Sequence, residues 1–344
     1  YRHDPDDPES LANNTVPSVF VDKDGMVWLA TVAGLDRLNP TTGKFTHFSH
    51  DPNNTTTISS DAVWRTYEDL SGTLWMGTGL PFPGVPNFGG LNRFDRETGT
   101  FTRYLANPED PSSLSGYKIT AMLEDSKGNF WVGTEGDGLH TLDRGTGRFT
   151  RHAFDPDHPE KLSRPALASM DYAFISFLLE DSAGQIWIGT VDNGINRYDP
   201  DSDKVTHFGK SSGFREDVVA NDDWKSFQES NSAWCAYAGQ DGLIWISTET
   251  DPKLYKIDLF RNTIKKVNEP GINVFFEESS KVIWKGTSNG LIKEDLKAGT
   301  EILYQHRPED PGSLSTNLIS AITQDHQGKL WVGTLNGLNV LDPE

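Results

Sequence analysis

Hydrophobic and polar residues alternate in short runs that come round again along the chain. Ile119-Thr-Ala-Met-Leu-Glu124 alternates, Asp125-Ser-Lys-Gly128 interrupts it, and Asn129-Phe-Trp-Val-Gly-Thr134 starts it anew. Gly138-Leu-His-Thr-Leu-Asp143, the break Arg144-Gly-Thr-Gly147, and Arg148-Phe-Thr-Arg-His152 complete the unit. Period-two runs bounded by Gly and Asp are the mark of half-buried strands joined by tight hairpins. The unit therefore predicts four strands, A to D.

The second-strand phrase returns at Trp28 (WLAT), Trp75 (WMGT), Trp131 (WVGT), Trp187 (WIGT), Trp245 (WIST), Trp284 (WKGT) and Trp331 (WVGT). The mean spacing is about 50 residues, a propeller-like period. Burying one indole at ~25 cal/mol/Å² contributes on the order of 4–6 kcal/mol before entropy, so these seven Trp read as packing. The expected fold is all-β: one seven-bladed β-propeller over 1–344, with four-stranded antiparallel blades. The blades fall at about 15–50, 60–105, 117–154, 173–209, 232–268, 271–306 and 317–344 plus 1–4.

The last unit stops after strand C, at Leu341-Asp-Pro-Glu344. The opening YRHDPDDPESL matches YQHRPEDPGSL, Tyr304 to Leu314, which follows strand D of the sixth unit. Residues 1–4 are therefore expected as the outer strand of the seventh blade beside 337–342, closing the ring and protecting its edge.

Charge and composition narrow the partners. Lys+Arg 31 against Asp+Glu 50 leaves a net charge of −19, which disfavours nucleic acid and anionic lipid surfaces. The single cysteine, Cys235, excludes an internal disulfide framework and any multi-cysteine zinc site. No run approaches 18 apolar residues, so no membrane insertion is expected within this chain, and no basic-then-apolar leader opens it.

Three phrases carry a resemblance. Glu124 to Thr134, Gly90-Leu-Asn-Arg-Phe-Asp95 and Thr98-Gly-Thr-Phe-Thr-Arg-Tyr104, with the linker Asn107 to Ser115, are similar to the two-component regulator propeller repeat. The fifth and sixth units diverge most, with Gly239 for the usual acid and Lys281 for the usual Gly. The resemblance implies a periplasmic or extracellular sensor region of hybrid two-component regulators, many of which recognise oligosaccharides. Nothing in the chain resembles a kinase.

Extra sequence sits on one kind of connection. Leu80 to Phe88 expands the B–C loop of blade two, and Thr250-Asp-Pro252 that of blade five. His152 to Tyr172 and Gly209 to Ser232 expand two D–A linkers. In an A-to-D blade these connections share one face, and loops on a rigid scaffold usually carry binding. The candidate ligand-binding residues there are Trp64, Arg65, Tyr117, Lys118, Tyr172, Trp224, Trp234 and Glu249. Aromatic planes and charged donors of this kind suit a carbohydrate or another small polar ligand. Trp64 and Trp234 equally suit strand-A packing, and Arg65 either meets an anionic group or pairs with a neighbouring acid.

Catalytic and metal signatures are lacking. His3, His47, His152, His207 and His306 are expected at or beside one outer-strand position, spread around the rim, and His140 and His326 lie in repeat strands or turns. Asp199, Asp201 and Asp203 open like a calcium loop, yet Lys204 and Lys210 stand where Gly and Glu are needed. No cofactor and no metal is expected. Two other readings stay open: a lyase or hydrolase on a propeller scaffold, with Tyr117, Tyr172 and Lys118 as the nameable candidates, and a protein–protein interaction platform.

Overall fold

The computed structural model describes residues 1–82, 88–136, 138–152, 157, 174–191, 194–208, 223, 227, 233–239, 241–248, 253–261, 263–267, 269 and 271–342. They form seven antiparallel sheets, six in the order A-B-C-D and the seventh A-B-C, and the architecture is a seven-bladed β-propeller. The third sheet shows how closely alternation fixes a strand. Its strands run Ile119–Glu124, Phe130–Thr134, Leu139–Asp143 and Arg148–Arg151, within one residue of the boundaries that the sequence pattern predicts.

Two compact units contain these sheets: residues 1–80, 87–105 and 273–344, and residues 81–86 and 106–272. In the first unit, strand A of sheet two (Val63–Glu68) pairs with strand B (Leu74–Thr78), and strand A of sheet one (Ser18–Val21) contacts it. The apolar side chains of sheets one and two interlock around Trp28, Ile58, Val63, Leu74, Met76 and Phe94. In the second unit, Trp131 packs with Ala121, Ile175 and Ile188, and Trp187 with Phe208, Ile246 and Tyr255. Six of the seven strand-B Trp thus lie inside, as expected of repeat packing, and Trp245 is half-buried.

Each phrase also fixes its own ends. The acid six residues ahead of Trp accepts the indole N–H: Asp22 from Trp28 at 2.7 Å, Asp69 from Trp75 at 2.8 Å, Asp125 from Trp131 at 2.8 Å. Asp181, Glu278 and Asp325 do the same for Trp187, Trp284 and Trp331. At the other end, the Thr hydroxyl donates to a carbonyl across the B–C hairpin in all seven sheets.

The seventh sheet departs from expectation. It has three strands, Ile319–Gln324, Leu330–Thr334 and Gly337–Leu341, and residues 1–4 do not form a fourth. Tyr1 alone pairs: its N–H group donates to Leu338 O at 2.8 Å and Leu338 N–H donates back to Tyr1 O at 3.0 Å. The reason is register. In sheets one, two and six the residue opposite this position is the last of strand D, Phe48, Tyr104 and Tyr304. Tyr1 holds that last place, and the chain then turns away, with His3 N–H donating to Asn14 Oδ1 at 2.7 Å. Closure is reinforced by Val16 N–H to Thr334 O at 3.0 Å and Ser320 Oγ–H to Val16 O at 2.6 Å.

Candidate ligand-recognition site

Because strands alternate in direction, the start of strand A, the B–C hairpin and the end of strand D share one end of every sheet. The Thr clamps make that end rigid. In sheet two, Thr78 Oγ1 lies 3.0 Å from Gly90 O and accepts Gly90 N–H at 2.9 Å, so the 80–88 insertion hangs from a closed hairpin. In sheet five, Thr248 and Lys253 make the same closure on either side of 249–252. Gly90 requires its residue type here: its φ is +158°, and a Cβ would stand 2.6 Å from Tyr104 O.

The start of strand A carries a feature that alternation does not reveal. In sheets two, three, four, five and seven, one residue is skipped in the A–B register: Trp64, Thr120, Ser176, Trp234 and Ser320. A bulge increases local twist and re-aims the extra side chain, and such bulges favour functional edges. Thr120 and Ser320 use their hydroxyls on carbonyls, Gly133 O at 3.1 Å and Val16 O at 2.6 Å. Trp64 and Trp234, two of the three Trp outside the repeat phrase, take this position too.

Trp64 is buried, and the Arg65 guanidinium sits 4.8 Å from its ring centroid. Arg65, half-buried, thereby has its guanidinium over an indole. Beside it, Ser18 and Thr66 join sheets one and two through a 2.8 Å hydroxyl pair. The same unit adds Phe88, exposed at the end of the insertion, with its ring edge-on to His50 at 5.1 Å. In the second unit, Trp234 is half-buried and edge-on to Phe174 at 6.3 Å.

Lys118 is buried, and its ammonium lies 3.0 Å from Glu135 Oε2, while Lys118 O accepts Glu135 N–H at 3.2 Å. That ion pair ties the start of strand A to the B–C hairpin of the third sheet. Tyr117 beside it is half-buried. Tyr172, Trp224 and Glu249 lie outside the described residues, as does most of the two expanded linkers.

A repeated polar position escaped the sequence reading. A polar residue near the start of strand C caps a linker N–H: Asp36 takes Ala12, Asn92 takes Ser59, His140 takes Ser115 and Asn339 takes Ser315, at 2.7 to 3.1 Å. His140 Nε2 accepts, so Nδ1 carries the proton. Burial, helped by the charge of Arg151, lowers its pKa to about 4. The register comparison Asp36, Asn92, His140, Asn339 was available in the sequence as a column of short polar residues.

Of the histidines expected at one outer-strand position, His152 directly follows strand D of the third sheet, with Nε2 3.3 Å from Thr141 Oγ1, and the others take two further positions. His47 and His207 lie in D strands and pair with Asp36 and Asn196 on the neighbouring C strand. His3, His50 and His306 open the linkers and bond Leu11, Ile58 and Leu314 carbonyls through Nδ1, at 2.6 to 2.8 Å. The Asp199 triplet is a C–D turn: Asp199 Oδ1 accepts Asp201 N–H at 3.0 Å, and Asp203 adopts a φ of 53°.

Comparison with known proteins fits this frame. Residues 10–33, 113–136, 169–192 and 313–336 match the two-component regulator propeller. Four of the chain's repeats are thus those of the two-component regulator propeller. The chain is 25% identical over 184 residues, 50% of its length, to histidine kinase P4 of Formosa agariphila, of which it spans 12%. The extracellular domain assigned to a hybrid two-component system of B. thetaiotaomicron shares the fold at a TM-score of 0.74 and 24% identity; 97% of this chain and 40% of that one are covered. Streptogramin B lyase shares it at a TM-score of 0.64 and 17% identity, over 97% and 95% of the two chains. The propeller of this family thus spans less than half the length of the first two relatives.

Proposed function

We propose that this two-component regulator propeller is the ligand-recognition region of an extracytoplasmic sensor, taking a carbohydrate or another small polar ligand. The family repeat supports the sensor reading, and the relatives named above support the compartment. The ligand class rests on one observation: the Arg65 guanidinium over the Trp64 ring at a bulge, beside the Ser18–Thr66 hydroxyl pair. A held guanidinium offers parallel N–H donors to a hydroxyl pair or carboxylate, while aromatic faces cover sugar C–H groups. The catalytic alternative has less to stand on, since Lys118, its nameable cation, is committed to Glu135.

The test is a thermal-shift and calorimetry screen of the 344-residue chain against neutral and uronate oligosaccharides. At least one should bind, and Arg65→Ala should weaken that binding about tenfold or more, as expected for losing a charge-assisted hydrogen bond. A blank panel, or full affinity in the Arg65 variant, would refute the assignment.

A further inference from the structure

In sheets two, three, four and seven the A–B ladder ends at the strand-B Thr, and one more cross-strand position lies beyond it. That position is at the same end of the sheet as the candidate site. Ala62 and Gly79 hold it in sheet two, Lys118 and Glu135 in sheet three, and Phe174 and Val191 in sheet four, each pair joined by a backbone hydrogen bond. None of the three offers a large apolar side chain to solvent. Ala62 and Gly79 are small, Lys118 and Glu135 form an ion pair, and Phe174 and Val191 are 3% and 1% exposed. The seventh sheet differs. Ile319 pairs with Thr334, so Leu318 and Leu335 take the position, and they are 36% and 47% exposed.

Polar side chains around these two leucines are already engaged. Asn336 Nδ2 donates to Ser315 O at 3.2 Å, and Asn317 Oδ1 accepts His306 N–H at 2.6 Å. Ser320 Oγ donates to Val16 O at 2.6 Å, and the Ser315 hydroxyl meets Thr334 Oγ1 and Asn339 Nδ2 at 3.0 Å each. Leu318 and Leu335 therefore make an apolar ledge, and a bare sugar ring rimmed with hydroxyls gains little by covering it.

The ledge is continuous with the candidate site inside one compact unit. Thr334, next to Leu335, accepts Val16 N–H at 3.0 Å. Two residues on, Ser18 shares its 2.8 Å hydroxyl contact with Thr66, the neighbour of Arg65. A ligand held by Arg65 and lying across the start of strand A of sheet one reaches Leu318 and Leu335 with its other end.

We propose that the ligand is an acylated oligosaccharide: its hydroxyls or carboxylate meet Arg65, and an ester-linked acyl group such as acetyl packs on Leu318 and Leu335. This rests on the recognition role proposed above and adds the class of ligand to it. A charged and aromatic end, set one strand away from an aliphatic end, selects a molecule that is polar at one end and apolar at the other. O-acylation gives a sugar that asymmetry, because it replaces a hydroxyl donor with a methyl-bearing ester whose burial is favourable.

The experiment is calorimetry of the 344-residue chain with glucuronoxylan and galacturonan oligosaccharides, each with its O-acetyl groups and after their removal in mild base. At least one acetylated form should bind about fivefold or more tighter than its deacetylated counterpart. The double variant Leu318→Gln with Leu335→Gln should lose that preference while keeping its Tm and its affinity for the deacetylated form, and Leu335→Met should retain the preference. Equal affinity for the two forms, or a preference that survives in the Gln variant, would overturn the acyl assignment and leave recognition at Arg65 standing. No binding of any form would overturn both. Self-association of the native chain that the Gln variant abolishes would give the ledge to a second copy and likewise overturn the proposal.

Discussion

The third and fifth sheets, both in the second unit, carry the same ladder with different fastenings. In the third, Asp125 is buried and accepts four hydrogen bonds, from Lys127 and Asn129 N–H, Asn129 Nδ2 and Trp131 Nε1, at 2.8 to 3.1 Å. In the fifth, Gly239 stands in that place, and Asp241 Oδ1 takes Leu243 N–H at 3.1 Å. Trp131 is 3% exposed, whereas Trp245 is half-buried, with the Lys256 ammonium 4.7 Å from its ring. The strand pairing is nonetheless complete, Leu243 to Ser247 against Asp258 to Leu254. Ladder and Thr clamp are enough to form a blade; the acid is a brace added at the far end of it.

This difference can be broken from its strong side first. Asp125→Ala should cost about 3–4 kcal/mol in urea unfolding, because it strips a buried turn of its acceptor. A loss below about 1 kcal/mol would show that the brace is ornamental. Next in size is an acid effect confined to the third sheet. His140 is neutral in the fold, with a pKa lowered to about 4 from the ordinary 6.5. A depressed folded pKa means its contribution is complete above pH 6.5 and drains away as pH falls toward 4, by up to about 3 kcal/mol. His140→Asn, which copies Asn92 and Asn339, should keep the cap and flatten that slope in unfolding curves measured from pH 7 to 4.

Two smaller changes approach from the weak side. Gly239→Asp combined with Asp241→Ser rebuilds the third-sheet turn in the fifth and should add about 1 kcal/mol, read as a higher urea midpoint. The second substitution is needed because a Cβ on Gly239 would lie 2.5 Å from Asp241 Oδ1. Lys256→Ala should then cost about 0.5–1 kcal/mol in the native background, and less once Trp245 has its acid. Equal costs in both backgrounds would mean that the ammonium and the acid do unrelated jobs.

The sheets were legible because each Trp phrase states its own strand, turn and partner within a dozen residues. Closure was legible as sequence likeness, but its extent was not: the match YRHDP to YQHRP aligns Tyr1 with the last residue of a D strand, which leaves one pair rather than a strand. The bulge at Trp64 and Trp234 was hidden, since skipping one residue disturbs alternation no more than an ordinary strand start does. Lys118 reads as a surface cation until Glu135, on another strand, is brought to it. Long-range pairing of that kind has no local signature.

The proposed ligand recognition at the start of strand A in the second sheet is tested most directly by hydrogen exchange. The oligosaccharide giving the largest thermal shift should be added in saturating amount and amide exchange compared with the free chain. Slowed exchange is expected to concentrate in 62–67 and to be absent in Arg65→Ala. Protection confined to the linkers 3–11 and 306–314, with 62–67 unchanged, would contradict it.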